Sequence, residues 1–225
     1  MSLIRTQTIP CPNCGTANQV EVFYSINADR RSDLRAAVVD RTLQQVSCTN
    51  CAAVFRVDPD LNYLDLARGQ WIAVHPLSSQ PHWQIVLPTD LETFDEAYGT
   101  QAAAGAQEIG QELAVRVTFG WAGFREKLIA AEAGLDDQEL ELLKMAILRE
   151  EENPLLARNA ELRLVDVADG QLVMCWLDAQ ADTVKETLLV PMRAYETIAA
   201  DSIGWAALRA EIRANAYVDM NRLLT

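Results

Sequence analysis

The chain predicts an α+β fold in which a thin, cysteine-bearing amino-terminal lobe precedes a mostly helical region. Three observations predict it. Two C-x-x-C pairs, "CPNCG" from Cys11 and "CTNC" from Cys48, bracket room for a strand and a helix. Short alternating segments crowd the first 90 residues, as a small sheet requires. Past residue 110 the apolar spacing turns helical, interrupted by an Asp-Gly dipeptide between two alternating runs.

The elements follow in order. "ANQVEVFYSI" alternates and is rich in β-branched and aromatic residues, so residues 17–26 read as a strand. "DRRSDLRAAVVDRTLQQ" reads as an amphipathic helix, with Asp29 or Ser32 as its cap and Leu34, Val38, Val39, Leu43 and Val46 on its apolar stripe. "AVFRV", "LNYLDLA" and "QWIAVH" predict a small antiparallel sheet, and "QIVLP" a further strand. Pro76, Pro81 and Pro88 then mark a connector, which puts a domain boundary near residue 90. Residues 90–110, acidic and rich in Ala and Gly, read as a linker or a short helix.

The second region, residues 111–225, begins with the helix "GFREKLIAAEAG", ending at Gly134. "LDDQELELLKMAILREEE" follows as a helix with a capping box, Asp136 being followed three residues later by Glu139. Its apolar face would use Leu140, Leu143, Met145 or Ala146, and Ile147. "AELRLVDVADGQLVMCWLDA" predicts a hairpin turning at Asp169-Gly170, with Val167 facing Leu172, Val165 facing Met174 and Leu164 facing Cys175. "ETLLVP" adds a strand, and a helical region with Trp205, Leu208 and Ile212 closes the chain.

Composition narrows the class. Half of the 225 residues are hydrophobic and 23% are charged, as in a soluble protein with a real core. No run approaches the ~18 apolar residues that span a bilayer, and the start lacks a secretory apolar core, so a cytoplasmic protein with no membrane role is expected. The net charge of −13 is unevenly spread: residues 1–88 balance at seven Arg against seven acids, while residues 89–225 carry 12 basic and 25 acidic side chains. Such a surface repels phosphate backbones, which argues against general nucleic-acid binding. A patch of Arg30, Arg31, Arg35 and Arg41 reads as a solvated helix face.

Four of the five cysteines, Cys11, Cys14, Cys48 and Cys51, fall in the two pairs. A C-x-x-C turn places two thiolates where one ion can bind both, and its backbone amides point at the sulfurs. Two such turns supply the four sulfurs of a closed tetrahedral Zn²⁺ site. Gly15, after Cys14, suits the positive φ of the first turn. Zinc is the expected cofactor. Iron also suits four thiolates, whereas a dithiol redox centre needs one C-x-x-C at a helix start in a βαβ setting, and plain buried thiols leave the pairing unexplained. A closed site has no open position for substrate, so the metal would stabilise the lobe, with apparent binding energies on the order of 10–16 kcal/mol in zinc-finger peptides.

"CPNCG", "LRAAVVDRTLQQVSC", "CTNC", the run through "NYLDL" and the later "FREKLIAAEAGLDDQELELLK" together resemble the CpXC-domain proteins of bacteria and archaea, over much of residues 1–150. The resemblance implies a zinc-ribbon-like lobe over residues 1–89 and no particular activity. The second pair departs from the family pattern, with Thr49 where Pro is usual and Ala52 where Gly is common. An Ala held at positive φ costs roughly 1 kcal/mol.

The other candidates have plainer readings. Cys175 reads as core, sharing a strand face with Leu162, Leu164 and Leu177. His75 and His82 read as surface residues without acidic partners. The "DDQELE" acids read as complementing a helix dipole. No P-loop, nucleophile elbow or H-E-x-x-H motif is present. The sequence therefore favours a non-enzymatic interaction or scaffold protein organised by zinc and working through protein partners, with self-association left open. The alternatives are a nucleic-acid-linked regulator, on fold analogy, and an enzyme whose site lies in the second region.

Overall fold

The computed structural model describes residues 2–150 and 160–223. The chain forms two compact units, Met1–Val115 and Arg116–Thr225. The boundary expected near residue 90 falls inside a helix of the first unit.

The first unit opens with a long antiparallel ribbon. Strands β1 (Leu3–Pro10) and β2 (Ala17–Asn27) pair from Leu3↔Ser25 to Pro10↔Ala17. Helix α1 (Ser32–Val39) comes next, then a second, shorter ribbon of β3 (Gln45–Ser47) and β4 (Val54–Arg56). Strands β5 (Leu61–Asp65) and β6 (Gln70–His75) continue the sheet in the order β1-β2-β5-β6, with β2 and β5 parallel and the β1–β2 and β5–β6 pairs antiparallel. "AVFRV" therefore belongs to the separate ribbon, and the main sheet is mixed where an antiparallel one was expected. Val20, Val22, Ile26, Leu34, Val38, Tyr63 and Ile72 fill the core.

Two local expectations are corrected. Helix α1 starts after Arg31 without a side-chain cap, because Asp29 is used elsewhere. Its carboxylate accepts the Leu66 and Ala67 N–H groups at 2.9 and 3.1 Å, bracing the β5–β6 turn. The helix ends early as well: Arg41 and Gln44 adopt φ of 62° and 59°, which carries Leu43 and Val46 off the helix. "QIVLP" lies in helix α2 (Trp83–Tyr98), not in a strand. So short an apolar run suits either structure by spacing alone, and here Leu87 is buried while Phe94 packs edge-on against Trp71 at 5.4 Å. Helix α2 and helix α3 (Ala104–Gln111) together take up most of residues 90–110, expected as a linker or a short helix.

Strand β7 (Ala114–Phe119), which the spacing did not signal, spans the division between the units. The second unit has helices α4 (Gly120–Glu132) and α5 (Asp137–Glu150); Glu151 and Glu152, expected in the latter, lie outside the described residues. A three-stranded sheet ordered β10-β9-β8 follows, from β8 (Ala160–Ala168), β9 (Gln171–Asp178) and β10 (Thr183–Pro191). It contains the expected hairpin, and β10 takes in the expected strand "ETLLVP". Helices α6 (Met192–Ala200) and α7 (Ala206–Arg213) close the unit. Asp169 and Gly170 take φ of 51° and 71°, as the two-residue turn requires. Val167 pairs with Leu172 as expected, but a bulge at Val165 shifts the rest, so Leu164 meets Met174 and Arg163 meets Cys175. The bulge sorts the two faces. Leu162, Leu164, Met174 and Trp176 pack with Leu140 and Leu143, while Cys175 packs with Ala122 and Leu177. Cys175 is core, as read, though not beside Leu162 and Leu164.

Candidate metal centre

Each C-x-x-C pair forms the tip of an antiparallel ribbon. Cys11 leaves β1 and Cys14 leads into β2; Cys48 leaves β3 and Cys51 leads into β4. The two loops close with the same hydrogen bonds. In the first, Cys11 N–H donates to the Thr16 carbonyl at 2.8 Å and Gly15 N–H to the Cys11 carbonyl at 2.8 Å. In the second, Cys48 N–H donates to the Ala53 carbonyl at 2.9 Å and Ala52 N–H to the Cys48 carbonyl at 3.0 Å. Closing them needs a left-handed residue after the second cysteine, and Gly15 (φ 73°) and Ala52 (φ 55°) supply it. The substitution of Ala for the family's Gly has thus left the turn in place at the cost of backbone strain.

The two tips converge. All four sulfurs lie within 4.8 Å of one another, with Cys14 and Cys48 at 3.6 Å and Cys11 and Cys51 at 3.8 Å. These are far beyond the ~2.05 Å of a disulfide. A tetrahedron with metal–sulfur bonds of ~2.3 Å has edges of about 3.8 Å. The cluster therefore has the size and donor chemistry to hold one metal ion. Cys11 and Cys48 are buried, Cys51 is partly buried and Cys14 is exposed, so the site sits at the surface. As thiols they differ in acidity: burial pushes Cys11 up to about 11, while the Thr16 hydroxyl and N–H draw Cys14 down to about 6.

Polar side chains that the sequence reading passed over clamp the tips together. Asn18, 3% exposed, donates to the Thr16 carbonyl at 2.8 Å and to Cys48 Sγ at 3.9 Å. Its Oδ1 accepts from Thr49 N–H at 3.0 Å and Thr49 Oγ1 at 3.2 Å. A proline at position 49 has no N–H to give, so the departure from the family pattern is put to use by Asn18. Gln44 ties the same ribbons lower down, accepting from Phe23 N–H at 2.9 Å and donating to the Val57 carbonyl at 3.3 Å.

The remaining candidates resolve differently. His75 is no plain surface residue: Nε2 lies 2.8 Å from Asp90 and Nδ1 3.5 Å from Asp60. Burial opposes its charge, but hydrogen bonds to Asp60 and Asp90 outweigh that and raise it to about 9. These partners lie 15 residues away on either side, beyond the reach of local spacing. His82 is exposed. In the arginine patch, Arg31 pairs with Asp33 at 2.7 Å and Arg35 lies 3.6 Å from Asp65, which lowers the positive charge available to a phosphate.

The "DDQELE" acids are chiefly ion-pair partners. Asp136 Oδ1 does cap Gln138 N–H at 2.8 Å, but Glu139 turns to Arg209 at 2.7 Å instead of closing the box. Asp137 takes Arg116 and Lys127 at 2.8 and 2.9 Å. Lys144 lies between Glu126 and Glu141 at 2.7 and 2.9 Å, all three with no exposed side-chain surface. Arg163 joins Glu126, Glu161 and Asp219 at 2.6–3.0 Å. Burial favours neutral carboxyls, yet Lys144 and Arg163 keep Glu126 below the usual range, and Arg163 does so for Asp219; Glu141, where burial prevails, is raised. Groups this enclosed offer no approach for a substrate. The second unit also has an apolar groove of about 650 Å³ between α5 and the β10–α6 corner, with Leu143, Ile147, Leu188 and Ile198 in its wall.

No helix among the described residues is long and apolar enough to cross a membrane. No curated protein and no solved structure gives a significant match to the chain. One family does, described as CpXC protein, over residues 9–144. That span takes in both cysteine loops, strands β2, β3 and β4 that bear them, the last two residues of β1, and α4–α5 as far as Lys144. With well over half of its length matched, the chain belongs to the CpXC family.

Proposed function

We propose that Cys11, Cys14, Cys48 and Cys51 bind one Zn²⁺ as a structural centre, and that the lobe it braces is a zinc-ribbon-like, non-enzymatic interaction module for protein partners. The observation that carries this is the convergence of four sulfurs within 4.8 Å of one another, with the Cys14–Cys48 and Cys11–Cys51 separations, 3.6 and 3.8 Å, close to a tetrahedral edge. Four thiolates complete the coordination of Zn²⁺ and leave no site for water or substrate, so the metal would hold the two ribbon tips together and do no chemistry of its own. The second ribbon has only three paired positions, so little apolar area is available to hold it. A metal bond network fits that need.

Elemental analysis of the purified full-length protein tests the metal. One zinc per chain is expected, falling to a small fraction in Cys48→Ser; stoichiometric iron, or no metal, overturns the reading. Pull-down with the zinc-loaded chain, compared with Cys48→Ser, tests the interaction role. A partner retained only by the loaded form is the expected result.

A further inference from the structure

The third residue of both cysteine pairs is asparagine, in Cys-Pro-Asn-Cys and Cys-Thr-Asn-Cys. The two side chains cross. Asn13, on the first tip, donates its amide to Cys51 Sγ of the second at 3.5 Å. Asn50, on the second tip, donates to Cys14 Sγ of the first at 3.8 Å. The leading sulfurs take backbone donors from their own turns, Cys11 from the amides of Asn13 and Cys14 and Cys48 from those of Asn50 and Cys51, and Cys48 also takes the Asn18 side-chain amide at 3.9 Å. Each trailing sulfur takes the side-chain amide of the asparagine in the opposite pair.

We propose that Asn13 and Asn50 are reciprocal positioning residues, each drawing negative charge from the trailing thiolate of the opposite loop and so protecting the loaded centre from electrophiles. The proposal rests on the metal reading above. Four thiolates around one divalent ion leave two negative charges over, and Cys14 is exposed to solvent. A sulfur carrying that charge is nucleophilic toward oxidants and alkylating agents. An N–H aimed at it lowers the energy of the sulfur lone pair and with it the reactivity. Because the donor comes from the partner loop, the same contact also fixes the angle between the tips. Thr16 adds its hydroxyl to Cys14 at 3.3 Å, which leaves Cys51 more dependent on its asparagine.

The test uses the full-length protein, loaded with Co²⁺ for spectra and Zn²⁺ for reactivity. In Asn13→Ala and Asn50→Ala the sulfur-to-cobalt charge-transfer band is expected to move to longer wavelength while the tetrahedral ligand-field bands persist. Co²⁺ affinity should fall roughly 10-fold per variant, as for other groups behind metal ligands. Iodoacetamide mapping of the zinc form by mass spectrometry gives the decisive pattern. Asn50→Ala should accelerate modification at Cys14, and Asn13→Ala at Cys51, in each case across the loops. Should an alanine variant not fold, Asn13→Asp and Asn50→Asp keep the shape and remove the donor, with the same shifts expected. Unchanged bands and rates in a loaded variant, or acceleration at the mutated loop's own cysteine, overturn the proposal while leaving the metal reading intact. Wild-type protein that takes up no Co²⁺ or Zn²⁺ overturns both.

Discussion

Ala52 shows how far a single side chain can bear on the site. It holds φ of 55° where only glycine is free of strain, is exposed, and precedes the first residue of β4 by two positions. Ala52→Gly removes ~1–2 kcal/mol of left-handed strain and adds part of that back as unfolded-chain entropy. A net gain of about 0.5 kcal/mol is expected, read as a higher denaturation midpoint of the metal-loaded protein. Thr49→Pro is expected to act in the opposite direction. It removes the N–H and hydroxyl that Asn18 accepts and leaves a buried amide oxygen unpaired, at about 1–3 kcal/mol. Restoring the family's proline should therefore lower the midpoint, unless Asn18 is changed with it. The four cysteines were legible at this scale because a pair of thiols two residues apart is a local pattern. Asn13, Asn18 and Asn50 were not, because an asparagine shows its use only when its partner sulfur, 30 residues or more along the chain, comes within reach.

At the scale of elements, His75 ties β6 to α2 through Asp90 and to the loop before β5 through Asp60. Its folded value of about 9 lies above the unfolded value of ~6.5. The sign follows: below pH 6.5 both states carry the proton and the pair contributes in full, and the contribution is lost as pH rises through about 9. Chemical denaturation between pH 6 and 10 should show stability falling across that window, with the slope reduced in His75→Asn. A flat wild-type profile would contradict the assignment. Strand and helix identity came through well where a pattern was long, as in β2, α4, α5 and β9. It failed in "QIVLP", too short for its period to show; β8 is a strand as expected, but one extra residue moved the register of Leu164 and Arg163 relative to β9.

Across the whole molecule the two units are stabilised by different means. In the second unit the charges of Glu126, Glu141, Lys144, Arg163 and Asp219 are enclosed and mutually paired. Removing one member strands the others: Lys144→Met is expected to cost ~3–5 kcal/mol, measured by urea denaturation, more than any exposed substitution nearby. Adding Glu126→Gln to it should recover part of the loss, since an uncompensated buried charge is then removed. In the first unit a chelator should act locally. Hydrogen exchange on the full chain is expected to show protection lost in β1–β4 after metal removal, with β8–β10 unchanged. Equal loss in both units would argue that the cysteine cluster is not what holds the ribbons.

The sequence alone determined that four cysteines form two matched turns, that strands dominate early and helices enter later, and that a hairpin turns at Asp169-Gly170. Each of these is written within a few residues, by spacing or by the φ that a turn demands. The tertiary structure decided which sulfurs meet, which amides reach them, that His75 has two carboxylates beside it, and that Lys127 of "FREK" is enclosed with Asp137 and Glu141 of "DDQELE". Those facts depend on groups brought together from distant parts of the chain, where desolvation sets the energy of a charge by what surrounds it, and no local pattern carries that information.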